Sequence, residues 1–201
     1  MTSPSADLLR VLYDPASWAD SAWLARYGAD ARWPARLANR ILLRRAPASR
    51  IRWVECDGAR INWLVAHWDV LPDVAYIAGA RLARDVIVSM NGLTRLRCNA
   101  GVFLTLPFSL PATQWATKGT HPPPGDERDI HALAAVRGAE CLRSAMYGVA
   151  GGWHDRISLR LPPLDASFSI PDLDPVRLAS QQPASFRLLT FAASFNHAQN
   201  R

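Results

Sequence analysis

Apolar residues recur at intervals of three and four along most of this chain, which is the spacing of one face of an α-helix. In residues 5–13 the leucines have this spacing, and Ser5 is a suitable N-cap. Residues 17–27 predict a second helix that ends at Gly28, because glycine readily adopts the backbone conformation that ends a helix. The pattern predicts helices in preference to strands from the first residues onward.

A third helix is predicted to begin at Asp30 or Arg32. Trp33, Leu37 and Ile41 recur every four residues, so we expect them to face inward. Arginines recur at the same interval and are expected to form a neighbouring stripe. This stripe consists of Arg32, Arg36, Arg40 and Arg44.

The remaining helices are predicted from the same periodicity, with breaks at glycine and proline. They cover residues 61–68, 73–91, 93–106, a helix from 126 or 129 to the glycine at 148, a short helix from 175, and 185–197. Residues 51–56 and 158–161 carry patterns typical of strands. The chain is therefore predicted to be mainly α, an irregular helical domain with at most a short β segment.

Residues 107–126 contain five prolines and two glycines. A loop of this length in a compact domain is either functional or mobile, and we expect a mobile one. The length of 201 residues fits one domain. We therefore expect a single helical domain over residues 1–201 with a long proline-rich loop.

The chain is basic, with a net charge of +6 and only one lysine among 23 basic residues. The arginine bias follows from a GC-rich genome as readily as from function. A basic balance permits nucleic acid, an anionic membrane or an acidic protein as partner, and selects none of them. The first residues do not resemble a signal peptide, and no apolar run is long enough to span a membrane. We expect a soluble intracellular protein.

The sequence predicts no catalytic residue, metal ion or cofactor. Its three cysteines form no C-x-x-C pair, and its five histidines include no pair on one helix face. Neither a nucleophile elbow nor an S-x-x-K motif occurs. Gly148, Gly151 and Gly152 follow a predicted helix and not a strand, so they lack the context of a phosphate-binding loop.

Two groups of residues remain as candidates for binding a partner. The arginine stripe would form an electrostatic docking face, or else a solvated helix face. Trp153 and Arg156 lie in segment 153–156, which combines aromatic and charged residues. They would form an exposed contact with a partner; alternatively, Trp153 packs under a turn.

The middle of the chain is similar to a known family. Residues 76–84 read Tyr-Ile-Ala-Gly-Ala-Arg-Leu-Ala-Arg, and residues 92–97 read Gly-Leu-Thr-Arg-Leu-Arg. This order resembles the middle of SctK-type accessory proteins of the bacterial type III secretion sorting platform, with the closest likeness to the Hrp-type branch. The tryptophan-rich N-terminal third and residues 156–162 are also similar, whereas residues 107–126 lie outside the resemblance.

The resemblance implies a mainly helical, non-catalytic adaptor. SctK-type proteins link the cytoplasmic domain of the inner-membrane ring protein to the cytosolic platform, whose pod subunit resembles a flagellar C-ring component. A cytoplasmic location and only indirect contact with the membrane are implied, with protein partners and no small-molecule substrate. A basic surface suits this role, because charge complementarity sets the rate and register of encounter. The resemblance assigns no binding residue, so the arginines come from spacing alone.

Two alternatives stay open. A nucleic-acid-binding regulator fits the charge, although the helix pair around Asn91 and Gly92 is more apolar than a helix-turn-helix requires. An enzyme whose site is assembled from distant residues would need a pocket that gathers His131 or His154 with carboxylates.

Overall fold

The computed structural model describes residues 5–28, 33–45, 51–108, 127–163 and 174–200. Within these residues the backbone forms ten α-helices and no strand, which confirms the prediction of a mainly α fold. The helices are α1 (Ala6–Tyr13), α2 (Ser21–Arg26), α3 (Ala35–Arg45), α4 (Ala59–Ala66), α5 (Leu71–Leu82), α6 (Arg84–Ser89), α7 (Ala100–Thr105), α8 (Glu127–Ala145), α9 (Gly151–Arg160) and α10 (Pro175–Gln199). Short 3-10 helices are formed by Pro15–Ser17, Trp53–Cys56, Trp68–Val70 and Leu93–Arg95.

The chain groups into two compact units. Unit 1 consists of Met1–Pro72 and Gly148–Pro163, and unit 2 consists of Asp73–Tyr147 and Leu164–Arg201. Unit 1 is therefore discontinuous in sequence, because α9 completes it. The single helical domain expected from the sequence stays a prediction. No helix in the described part of the chain is long and apolar enough to cross a membrane.

The core of unit 1 is built on tryptophans. Trp18, Trp68 and Trp153 are buried. The rings of Trp18 and Trp68 meet edge to face with centroids 5.1 Å apart, an arrangement that stabilises beyond the area it buries. The indole N–H of Trp153 donates to the carbonyl oxygen of Glu55 at 2.9 Å. A large part of the tryptophan content therefore has a structural role.

One arginine at the end of α9 binds three backbone carbonyl groups of unit 1. Arg160 donates from Nη1 to the oxygen of Trp18 at 2.6 Å and from Nε to that of Trp68 at 3.1 Å, and Nη2 donates to the oxygen of Asp69. These carbonyl groups lie in or directly after the short 3-10 helices Pro15–Ser17 and Trp68–Val70. The planar guanidinium reaches all three, so Arg160 holds α9 to the remainder of unit 1.

Unit 2 contains a very close helix crossing. α8 packs along α10 and crosses α5 where Gly79 faces Gly138. A Cβ at Gly79 would overlap the carbonyl oxygen of Ala134, and a Cβ at Gly138 would overlap that of Ala75. Backbone contact thus explains the glycine in the small-residue segment 76–84.

Other residues of the 76–84 segment are also used in packing. The hydroxyl of Tyr76 lies 2.7 Å from Nδ1 of His131. Arg81 donates to the carbonyl oxygens of Leu104 at 2.6 Å and Phe108 at 2.7 Å. Phe108 is the last described residue of the predicted loop 107–126, and the remainder of that loop lies outside the described residues.

Both strand-like predictions are wrong. In residues 51–56, the backbone N–H of Arg52 donates to the Glu55 carboxylate at 2.8 Å, which closes a 3-10 turn in place of a strand. Residues 158–160 belong to the last turn of α9, so their weak alternation reflects a helix with one buried side.

Several predicted helices also have other bounds in the structure; residues 73–91, predicted as one helix, belong to α5 and α6. Residues 93–106 do not form one helix, because Cys98 and Asn99 have φ angles of 57° and 53°, which interrupt helical backbone. The two C-terminal helices are instead one, since α10 continues through Pro183. The proline suggested a break that packing against α8 overrides.

Candidate docking face

The orientation of α3 is fixed by its inward side. Ala38 and Leu42 are buried, and Asn39 makes two polar contacts beside them. The side-chain oxygen of Asn39 accepts the N–H of Ala16 at 2.7 Å, and its nitrogen donates to the Asp14 carboxylate at 2.7 Å. The partly buried apolar residues around Ala38 and Leu42 are Ala16, Ala19, Leu24 and Tyr27. These contacts determine which residues of α3 face outward.

The prediction that Trp33 and Leu37 face inward is wrong. Trp33 is 46% exposed and Leu37 is 36% exposed, while Ile41 is half-buried. Ala38 and Leu42 take the inward position because the small side chain of Ala38 allows α3 to approach the 3-10 turn Pro15–Ser17. The larger apolar stripe is consequently left at the surface.

The predicted arginine stripe lies on this outward side. Arg36, Arg40 and Arg44 are all exposed, and we call them the arginine row. Within the described residues none of the three forms an ion pair with a carboxylate, and α3 itself contains no acidic residue. Arg32, the fourth predicted member, lies outside the described residues. At 100° per residue, Arg40 and Arg44 lie within about 60° of Leu37 around the helix axis, and Arg36 lies about 100° from it.

Trp153 and Arg156 do not form the exposed contact that the sequence suggested. Trp153 is 0% exposed and Arg156 is 6% exposed. Arg156 donates from Nη1 to the oxygen of Gly152 at 3.0 Å and from Nη2 to that of Leu12 at 3.2 Å. Burial lowers the pKa of Arg156, and the carboxylate of Asp155 acts in the opposite direction. The correct interpretation is a packed tryptophan, with an arginine that ties α9 to the end of α1.

Unit 1 also contains a pocket of about 490 Å³. Its lining is Glu55, Asp57, Gly58, Ala59, Arg60, Ile61, Gly148, Val149 and Ala150. Both carboxylates in it have local donors. The backbone and side chain of Arg52 lower the pKa of Glu55, and the N–H of Gly58 donates to Asp57 at 2.7 Å. No histidine lines this pocket, so it does not bring His131 or His154 to a carboxylate as the enzyme hypothesis requires.

The cysteines are free thiols. Burial raises the pKa of Cys56 and of Cys141 above the usual range. Burial and the neighbouring Asp73 carboxylate, which accepts from Sγ at 3.1 Å, raise the pKa of Cys98 to about 11. In the described parts of the chain no group of three His, Cys, Asp or Glu side chains is arranged to hold a metal ion.

Comparison with known proteins decides the family. A family model described as bacterial type III secretion apparatus protein (OrgA_MxiK) matches residues 8–200. The chain belongs to this family. The predicted SctK-type identity is confirmed, and with it a role in type III secretion. No curated protein and no solved structure gives a significant match to this OrgA_MxiK family member.

Proposed function

We propose that this OrgA_MxiK family protein is a non-catalytic adaptor of the cytosolic sorting platform. It links the cytoplasmic domain of the inner-membrane ring protein to the C-ring-like pod subunit, and it works in the cytoplasm beside the inner membrane. Family membership supports the role in secretion. The arginine row on a firmly positioned helix carries the docking part of the proposal, since its charges are exposed and have no carboxylate partner in the described residues.

The arginine row is suited to docking on physical grounds. Exposed arginines with no carboxylate partner among the described residues are available to bind a partner's carboxylate in two-pronged geometry. Three such charges on successive turns raise the local potential, which accelerates encounter with an acidic surface and defines its register. The effect is weakened by salt, because the charges are exposed.

The test is recovery of partners from the native host with the tagged full-length protein, at low and at high salt. The test variant carries Arg36→Glu, Arg40→Glu and Arg44→Glu. The matched control carries the same reversal at three exposed arginines of unit 2, Arg84, Arg95 and Arg187. Both variants have the same total charge, so a difference between them reports the position of the charges and not their number.

We expect the ring protein and the pod subunit to be recovered with the wild type and the control, and to be lost with the test variant. If the ring protein and the pod subunit are recovered equally with the wild type, the control and the test variant, the adaptor function stands and the arginine row has no part in it. Recovery of nucleic acid, or of no secretion component, would overturn the adaptor function.

A further inference from the structure

We propose that the outward face of α3 binds an acidic amphipathic helix of a protein partner. Apolar residues of that helix pack on Trp33 and Leu37, and its carboxylates pair with the arginine row. This inference rests on the adaptor function proposed above and specifies the chemistry of the partner that this site takes.

The apolar part of the site consists of side chains that the fold leaves at the surface. Trp33, which lies just before α3, and Leu37 of α3 are 46% and 36% exposed, although Ala38 and Leu42 of α3 are buried. Exposing a tryptophan forgoes a large hydrophobic gain, which is recovered when a partner covers it. Tryptophan and arginine are the residue types most enriched among the dominant contacts of protein interfaces. Their combination at one exposed site, on α3 and just before it, is therefore typical of a docking surface.

The charged residues of the site recur about once per helical turn. Arg36, Arg40 and Arg44 are spaced by four residues, so they follow the axis of α3 at intervals of roughly 6 Å. A partner helix that packs alongside, at an axial separation of about 8–10 Å, presents side chains at the same interval. Neither α3 nor α2 contains an acidic residue, and no described carboxylate forms an ion pair with the arginine row, so its charges are open to the carboxylates of a partner.

Other anionic partners fit this face less well. A helix that lies in a membrane surface needs a broad apolar side, and the continuous apolar side of α3, with Ala38 and Leu42, is already packed within unit 1. A nucleic acid would use the arginines through its phosphates but would leave Trp33 and Leu37 without a role. An acidic amphipathic helix uses both groups.

The experiment measures binding of the full-length protein to the purified cytoplasmic domain of the ring protein and to the purified pod subunit, at low and high salt. The variants are Trp33→Ala, Leu37→Gln and the triple reversal of the arginine row. Trp53→Ala is the matched control, because Trp53 is 47% exposed in the same unit. Circular dichroism and thermal unfolding verify the fold of each variant, and Leu37→Gln provides a second apolar test if Trp33→Ala unfolds.

We expect Trp33→Ala to weaken binding to one subunit about tenfold or more at both salt concentrations. The triple reversal should weaken binding to the same subunit at low salt and remove most of its salt dependence. Trp53→Ala should bind like the wild type.

Distinct outcomes separate this inference from the adaptor function. If the wild type binds a subunit and neither Trp33→Ala nor Leu37→Gln weakens it, the inference fails and the adaptor function stands. If wild-type binding is independent of salt, the acidic character of the partner is refuted. If the wild type binds neither subunit, both proposals fail. Binding to anionic phospholipid vesicles or duplex DNA that Trp33→Ala weakens, in place of a subunit, also overturns the inference.

Discussion

Gly79 of α5 and Gly138 of α8 lie against the backbone of each other's helix, with no room for a side chain at either position. At Gly79 an added Cβ would overlap the Ala134 oxygen and the Gly138 nitrogen. Close approach of this kind requires glycine on both helices, because the obstructing atoms are backbone and cannot rotate away. The crossing therefore fixes the positions of α5 and α8 within unit 2.

Replacing Gly79 by valine should lower the free energy of unfolding by about 2–3 kcal/mol, because the helices must separate to admit the side chain. Urea denaturation followed by circular dichroism measures the change. Gly151→Ala is the control, since no atom lies within 4 Å of the Cβ that it adds. That control should be neutral or stabilising by up to about 1 kcal/mol. Equal stability of Gly79→Val and wild type would refute the close crossing.

Arg160→Lys should destabilise unit 1 by about 2 kcal/mol. Lysine keeps the charge but cannot reach the carbonyl groups of Trp18, Trp68 and Asp69 together, so hydrogen bonds to these partly buried and exposed acceptors are lost. Chemical denaturation provides the measurement, and Arg187→Lys, at an exposed position of α10, provides the comparison. If both changes have the same small effect, the guanidinium contacts of Arg160 do not contribute to stability.

Trp153→Phe should lower the free energy of unfolding by about 1–3 kcal/mol, because it leaves a cavity and removes the donor to the Glu55 carbonyl group. Affinity of the folded variant for the ring-protein domain and the pod subunit should equal that of the wild type. Trp53→Phe, at an exposed position, should be nearly neutral in stability. A loss of affinity in folded Trp153→Phe would restore this residue as a partner contact.

Alkylation by iodoacetamide should be slow for all three cysteines at neutral pH, because each thiol has a raised pKa. For Cys98, the rate should rise with pH up to about 11, whereas buried Cys141 should react only on unfolding. Peptide mass spectrometry identifies the modified residue. Rapid modification of native Cys141 would show that its burial is incomplete.

The raised pKa of Cys98 also has a consequence for stability. The folded protein holds this proton more tightly than the unfolded chain, whose thiol has the usual pKa of 9.0. The contribution to stability is therefore complete below pH 9 and is lost as the pH rises toward about 11. Comparing the pH dependence of unfolding in wild type and Cys98→Ser isolates this contribution; parallel curves would disprove it.

Local signals in the sequence were sufficient to predict two helix starts. Ser5 accepts the N–H of Leu8 at 3.2 Å, and Asp174 accepts that of Val176 at 3.2 Å, as caps at those positions should. These contacts depend on residues two or three positions away. They can therefore be predicted without knowledge of the tertiary structure.

The orientation of α3 could not be predicted in this way. Its sequence has two apolar stripes, one with Trp33 and Leu37 and one with Ala38 and Leu42. Hydrophobicity alone favours burying the larger pair. The orientation depends on packing against the 3-10 turn Pro15–Ser17 and on the partners of Asn39, which come from another part of the chain, so the exposed apolar side chains of the candidate site were missed.

The role of segment 153–156 depends on contacts distant in sequence. Trp153 meets Glu55, 98 residues earlier, and Arg156 meets Leu12, 144 residues earlier. A mixture of aromatic and charged residues has the same appearance in a sequence whether it is covered or exposed. The sequence therefore identified the segment but not its environment.

The division of unit 1 along the chain sets an order for its synthesis. Its first part, through Pro72, leaves the ribosome before the whole of residues 73–147, which belong to unit 2. At ordinary translation rates, several seconds pass between the synthesis of Trp18 and Trp68 and the synthesis of α9. During that interval the carbonyl groups of Trp18, Trp68 and Asp69 lack the arginine that binds them in the folded protein. Unit 1 can therefore complete its structure only after residues 73–147 of unit 2 have been synthesised.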